Sequence, residues 1–514
     1  MIAFLRTQIS RRAGIVGFLC LFALIGAWSF ATPLFGGPDE PAHTIKAAAT
    51  AHGHFLGSQA PHQSDAWIDF RIPATIGDAA TRSVCFAFHP DQSAGCEKPF
   101  VSRSGSQTAS TYVGRYPPLY YLLVGLPSLV LHSPGVLYLM RLASAALGAA
   151  FLAMAFVSGA ASRHGRGAVI GAALAITPMV VFLSAVLNPS GLEIAAALCF
   201  WVSALVLFTD PEHPARRGLI LRAALGAAVF MQTRGLSPLL LAIAGIAVAI
   251  IAGWSTVVGL LRRRDIQIAL GVLAVIGAGT LAWIFGARSL ALAPVGYPVQ
   301  ESDSNLHILG QALKRCLRDL KDMIGMFGWK DTPPPLWSTL VWVVLLFVVV
   351  AAAIVTRARR GPYVLPALCI VIVLLPALLS AANARQDGLI GQARYLMPVA
   401  VGIPVIACFL LLPRLRAGRW LTGAVWTVAG ATAVVQAAAF VQALRRYRGG
   451  AQSPLLRRTS EWAPPAGTLL TLAFFAVALL AYTLWWRSLA PVAAATDAAV
   501  PHIPAEPARL QTRT

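Results

Sequence analysis

Runs of about twenty apolar residues recur from one end of this chain to the other, and that recurrence constrains the fold more tightly than any other feature. They fall at 14–34, 136–160, 167–187, 190–209, 218–232, 236–254, 266–286, 336–356, 362–382, 395–413, 420–443 and 467–488. A hydrocarbon core about 30 Å thick is crossed by a helix of roughly this length. Lipid offers no partner to backbone N–H and C=O groups, so each run is expected to be helical. Of the 514 residues 57% are hydrophobic and 12% are charged, roughly half the charged fraction of a soluble domain. The expected fold is an all-α polytopic membrane protein with about 12 transmembrane helices, plus interfacial helices in a long first extracytoplasmic loop. The first run follows Arg6, Arg11 and Arg12 as in a signal peptide, but no small-x-small cleavage site precedes "GGPDE". It reads as a retained helix.

One further run, "YPPLYYLLVGLPSLVLH" at 116–132, is short and broken by Pro117, Pro118 and Pro127. If it crosses the membrane, the clusters "RHGR", "ARR", "RRR" and "RARR" fall opposite the basic N-terminus. If it lies along the interface or re-enters, all four, and "RLRAGR" at 414–419, join the N-terminus on the cytoplasmic side. The positive-inside rule selects the second arrangement, with 445–458 as the exception. The net charge of +21 is therefore read as orientation signal, and no nucleic-acid partner is expected. The polar loops 35–115, 188–191, 287–335 and 383–394 then face outward, and chemistry is expected there. In outline, a cytoplasmic N-terminus (1–13) leads into a transmembrane module (14–413). That module carries the first outer loop with its interfacial helices (35–135) and a second outer loop (287–335). C-terminal helices (414–488) and an Ala/Pro-rich tail read as disordered (489–514) follow.

Of seven cysteines, Cys85 and Cys96 share a polar loop. In an oxidising compartment they are expected to form a disulfide rather than a zinc site, whose CxxC spacing they lack.

Five polar groups stand out against the apolar background. Asp39 and Glu40, in "FGGPDEPAH", sit where the first helix ends. They either simply terminate the apolar run or, with His43 and Lys46 at offsets 4 and 7 from Asp39, form an acid/base or metal-binding group on one helix face. Glu193 follows the break "NPSG"; a glutamate inside an apolar helix is a functional candidate, and one in the first turn also suits the helix dipole. Arg234 centres the break "QTRGLSP". Lys330 and Asp331 lie in "FGWKDTPPP" beside Trp329, an interfacial anchor by type. Gln392, Arg394 and Tyr395 open a helix in "GQARYLMP", where an arginine can snorkel to headgroups or grip a phosphate. No P-loop, HExxH or GxSxG is present, so no nucleotide cofactor is expected and energy must arrive with the substrate. A divalent cation on Asp39, Glu40 or His43 is compatible with the residue types, but no ligand set is complete; the loop histidines 43, 52, 54 and 62 read as solvated before they read as zinc ligands.

Taken in order, "PDEPAH", "YPPLYYL", "YLMRLASA", "TP…NPSGLE", "TRGLSP", "FGWKDT.PP" and "QARYLMP" resemble the GT-C superfamily of polytopic membrane glycosyltransferases, and within it a bacterial domain-of-unknown-function branch. The resemblance covers roughly residues 14–413. It implies a multi-pass protein of the bacterial cytoplasmic (inner) membrane, active on its outer face. Such a protein would move a sugar from a polyprenyl-phosphate carrier to a cell-envelope glycan, lipid or protein acceptor, among membrane lipids. By position, Asp39 or Glu40 would be the general base or a metal ligand and Glu193 a second acidic group. Arg115 and Tyr116 stand where lipid-A-type relatives place a lysine before "PPL", and Arg234 where many have lysine. The rival reading is a non-enzymatic transporter or assembly partner for lipid-linked glycans; the breaks at 188–191 and 232–238 also fit discontinuous transporter helices.

Overall fold

The computed structural model describes residues 2–61, 66–162, 165–290, 296–357, 360–389, 393–415, 419–454 and 462–498. Helix α1 (Ile2–Ala31) ends at the loop that carries Asp39, and α2 (Glu40–Ala51) begins directly after it. A three-stranded antiparallel sheet follows, β1 (Ser58–Gln59), β2 (Ile68–Pro73) and β3 (Ser106–Thr111), in spatial order β1-β2-β3, with the short α3 (Ala74–Ala80) after β2. Ile68 stands opposite Thr111 in the register, and the Thr111 hydroxyl donates to the Ala42 carbonyl, which ties the sheet to α2. This small sheet is the one departure from the all-helical expectation among the described residues.

The run at 116–132 forms α4 (Leu119–Gly125) and a short 3₁₀ turn, Leu126–Leu129. At about 1.5 Å per residue it is far too short to cross a bilayer. Gly125 meets the Ala47 carbonyl, and any side chain there would collide with α2.

The remaining helices are α5 (Val136–Ala161), α6 (Gly165–Ala175), α7 (Pro178–Ala185), α8 (Pro189–Thr209), α9 (Arg216–Met231), α10 (Ser237–Ala252), α11 (Trp254–Leu261) and α12 (Arg264–Gly286). Then come α13 (Asn305–Asp319), α14 (Leu336–Val355), α15 (Gly361–Asp387), α16 (Met397–Ala400), α17 (Gly402–Leu411), α18 (Arg419–Gly449) and α19 (Thr468–Ala498). Among the described residues nine helical segments are long and apolar enough to span, or 11 if the bent pairs α6–α7 and α10–α11 each count as one. Pro178 breaks the first pair by 65°, and Gly253, at φ 92°, breaks the second by 112°. The run at 218–232 is α9, whose 16 residues reach about 24 Å, and it accounts for the difference from the expected number.

Burial ranks the spans. The spanning window of α8 is 89% buried, whereas that of α12 is 11% buried and turns its apolar residues outward. The core is centred on α1, α5, α7 and α8, where Trp28 meets the rings of Phe182, Phe327 and Phe440. The end of α18 returns to the first loop. Arg446 donates to the carbonyls of Phe86, His89 and Gln92 and pairs with Asp331 at 2.9 Å. The described part of the basic stretch that broke the positive-inside pattern, 445–454, thus lies beside the 85–96 loop.

Candidate functional site

The segment 35–40 is held on several sides before its side chains are considered. The Phe35 carbonyl accepts from the Trp329 indole, Gly36 from the Tyr447 hydroxyl and Pro38 from the Asn188 amide. A Cβ on Gly37 would lie 2.7 Å from Val186, so the backbone fits against α7's end only without a side chain. Asp39 then occupies the N-cap of α2 in the left-handed region, φ 61°, a conformation uncommon for a residue other than glycine. Aspartate normally caps such a helix, yet here its side chain makes no capping bond. It accepts from the Tyr112 hydroxyl at 2.7 Å on Oδ1 and from Arg394 Nη2 at 2.8 Å on Oδ2. Burial would raise the Asp39 pKa, but the neighbouring Arg394 and His43 and the bond from Tyr112 leave it below the usual carboxylate value. The side chain remains 28% exposed.

His43, one turn on, is buried, with Nδ1 2.9 Å from the Tyr121 hydroxyl. Burial, reinforced by Arg234 and Arg394 against the opposing pull of Asp39, pushes its pKa down to about 3. It is a neutral imidazole at physiological pH.

Glu40 has a different environment. Arg141 grips it through Nε and Nη2, both at 2.6 Å, and the backbone amides of Gly37 and Leu187 donate to the same two oxygens. Arg141 spends its other hydrogens on the carbonyls of Ser29, Thr32 and Pro33. This fully bonded, buried pair clamps α1, α2, α5 and the end of α7 together. Lys46 also turns inward, donating to the Phe55 carbonyl and lying over the Phe70 ring, and burial pushes its pKa down to about 7.

A second cluster closes on Asp39 from α8, α10 and the segment before α16. Asn188 caps α8 by accepting from the Ser190 amide. Glu193, one turn into α8, accepts from the Ser237 hydroxyl at 2.6 Å, and Ser237 in turn accepts from the Arg234 amide. Arg234 donates to Ser190 at 3.0 Å, bonds the Tyr116 hydroxyl and stacks over the Tyr395 ring at 4.2 Å. Arg394 lies over the same ring at 5.5 Å. Two guanidiniums therefore flank one tyrosine, with Asp39 on one side and Glu193 on the other. Asp39, Tyr112, Tyr116, Arg234 and Tyr395 are each only partly buried, so the cluster is open along one edge.

Of the residues singled out in the sequence, Asp39, His43, Tyr116, Glu193, Arg234, Arg394 and Tyr395 meet here. Tyr112, Tyr121, Ser190 and Ser237 complete the cluster without having been singled out. The ladder "YVGRYPPLYY" carries a signal for the two tyrosines, an aromatic every four or five residues next to an interfacial segment. Arg115 uses its carbonyl, which accepts from Trp283 and Ser289, and among the described residues no hydrogen bond or ion pair joins its side chain to the cluster. Lys330 pairs with Asp319 at 2.8 Å and Asp322 at 3.5 Å, while Asp331 serves Arg446; both stand apart from Asp39. Gln392 lies outside the described residues. Cys85 and Cys96 are disulfide-bonded. Among the described residues no three His, Cys, Asp or Glu side chains gather into a cation site. Asp39, Glu40 and His43 do not form a ligand set as arranged, because Arg394, Tyr112 and Arg141 take up the carboxylates.

Among known proteins, no curated sequence matches the chain. Two solved structures of ArnT from Cupriavidus metallidurans are similar at 16% identity. The apo form gives a TM-score of 0.45 over 93% of this chain and 77% of that one. The form bound to undecaprenyl phosphate gives 0.44 over 96% and 78%. Residues 21–403 match a family model described as "Predicted membrane protein (DUF2142)". The chain, with its apolar spans and the loop of Asp39 inside that match, belongs to the DUF2142 family of membrane proteins.

Proposed function

We propose that the protein is a membrane glycosyltransferase that moves a sugar from a polyprenyl-phosphate carrier to an extracytoplasmic cell-envelope acceptor. One observation carries the reading: a partly exposed carboxylate, Asp39, pairs with Arg394, and Arg234 stacks on the Tyr395 ring that Arg394 also covers, where a loop joins the apolar helices. Cations at that depth suit the phosphate of a lipid carrier, and a carboxylate beside them suits the hydroxyl that attacks it.

In the step itself the acceptor oxygen attacks the anomeric carbon and its proton passes to Asp39. The bond from that carbon to the phosphate oxygen breaks, and its electron pair leaves with the lipid phosphate, where Arg394 and Arg234 stabilise the charge. Phosphate is a good leaving group, so a carboxylate held below its usual pKa suffices as base and no strong acid is required. Attack opposite the leaving group inverts the anomeric centre. Glu193 acts through Ser237 and Ser190, which set the position of Arg234. His43, neutral and bonded to Tyr121, presents an uncharged wall beside Asp39.

The test is a deletion strain complemented with wild type or Asp39→Asn at matched membrane levels, read by monosaccharide and linkage analysis of surface glycans. Loss of one defined sugar with Asp39→Asn is expected, since removing a general base lowers the rate about 10²–10⁴-fold. Identical glycans from both strains would overturn the transferase reading and favour a carrier.

A further inference from the structure

Arg141 and Arg394 each meet a carboxylate from the same loop, and they grip it differently. Arg141 presents its Nε–Nη2 edge to Glu40 and fills both positions, each at 2.6 Å. Arg394 gives Asp39 only Nη2, at 2.8 Å. Its Nε, on the same edge of the guanidinium, is buried and makes no hydrogen bond among the described residues, although the side chain as a whole is 6% exposed. A buried donor left unmatched is costly, and Asp39 does not relieve it. The left-handed backbone and the Tyr112 hydroxyl turn the second carboxylate oxygen elsewhere. The fork is half engaged.

The phosphodiester of a polyprenyl-phosphate sugar has two non-bridging oxygens, and the free carrier's monoester three, enough in either case to fill both positions of such a fork. Arg234, stacked on the ring that Arg394 also covers, supplies a second cation to the same anion. Resting on the phosphate-carrier reading above, we propose that Asp39 is a placeholder on Arg394. The phosphate of a polyprenyl carrier takes over the Nε–Nη2 edge and displaces the Asp39 carboxylate, which stays on Tyr112 and becomes free to accept a proton. The base is thus masked until the donor is seated, and donor precedes acceptor.

The experiment measures binding of a polyprenyl phosphate, and of the same polyprenol without phosphate, to the full-length protein in detergent, by thermophoresis. Wild type is expected to prefer the phosphate. Asp39→Asn removes the competitor and should bind polyprenyl phosphate about tenfold tighter or more, the equivalent of about 1.4 kcal/mol, with polyprenol unchanged. Asp78→Asn deletes the same charge from a separate pair with Arg82 and should stay within about twofold, the scatter of uncoupled sites. In Asp39→Asn/Arg394→Lys the charge remains but the fork is gone, and the gain should vanish. Equal or weaker binding by Asp39→Asn overturns the placeholder. So does an equal gain in Asp78→Asn, which would make the effect a general field. A wild type that ignores the phosphate overturns both this proposal and the carrier reading. A clear Asp39→Asn gain alongside unchanged surface glycans would keep the placeholder and sink only the transferase step.

Discussion

Glu40 gives both oxygens to Arg141 and two backbone amides in the interior, whereas its covalent neighbour Asp39 keeps 28% of its side chain exposed and shares it between Tyr112 and Arg394. The two should separate cleanly under mutation. Glu40→Gln leaves the Arg141 charge buried without its counter-ion, a loss of about 3–5 kcal/mol, and should appear as a lowered thermal midpoint and poor recovery in detergent. Asp39→Asn keeps the shape and the Tyr112 bond and removes a single-bonded, partly exposed partner from Arg394, so its midpoint should fall less than that of Glu40→Gln while function is lost. His43 gives a pH signature. Its pKa falls from 6.5 to about 3 on folding, so between those values the unfolded chain binds a proton that the folded chain does not. Stability from this group is whole above pH 6.5 and declines as pH falls toward 3, by up to about 1.4 kcal/mol per pH unit. Thermal unfolding at pH 7 and pH 5 should show that slope in wild type and a smaller one in His43→Gln; equal slopes would remove His43 as its source.

At the scale of elements, the loop 85–96 is a built unit rather than a flexible connection. The Cys85–Cys96 disulfide closes it, and Arg446, from the end of α18, binds the carbonyls at 86, 89 and 92. Removing the disulfide with Cys85→Ser is expected to cost about 2–3 kcal/mol by the loop-closure argument, read as a drop in thermal midpoint that reducing agent reproduces in wild type. An unchanged midpoint would mean that Arg446 alone holds the loop. The disulfide was legible in the sequence because two cysteines share a short polar stretch. The role of Arg446 was not, because charge counting treats every arginine as an orientation signal, and this one is buried against carbonyls brought from some 350 residues away. The same blindness hid Tyr112: it reaches Asp39 from the turn after β3, and nothing in a chain of apolar runs announces a sheet. Asp39, Glu193, Arg234 and Arg394 were legible as charges where an apolar pattern breaks. Their convergence was not, since it depends on how the spans pack.

For the molecule as a whole, the apolar runs fix the helices with little ambiguity, and the short proline-broken segment at 116–132 packs against α2. What period and composition could not resolve is which spans are central. The burial of α8 and the outward face of α12 follow from neighbours rather than from local sequence. The most consequential contact is also among the longest in sequence, because Asp39 and Arg394 are 355 residues apart. At about 5–20 residues per second of synthesis, roughly 20 to 70 s separate the appearance of the two residues at the ribosome. Throughout that interval Tyr112, made only seconds after Asp39, is the partner from the cluster that can already hold its carboxylate. A chain stalled or truncated before residue 394 carries Asp39, Glu193 and Arg234 into the membrane without the guanidinium that completes the cluster. On the transferase reading such interrupted products are expected to lack activity, and the cluster is completed late, once the chain has been made as far as its last quarter.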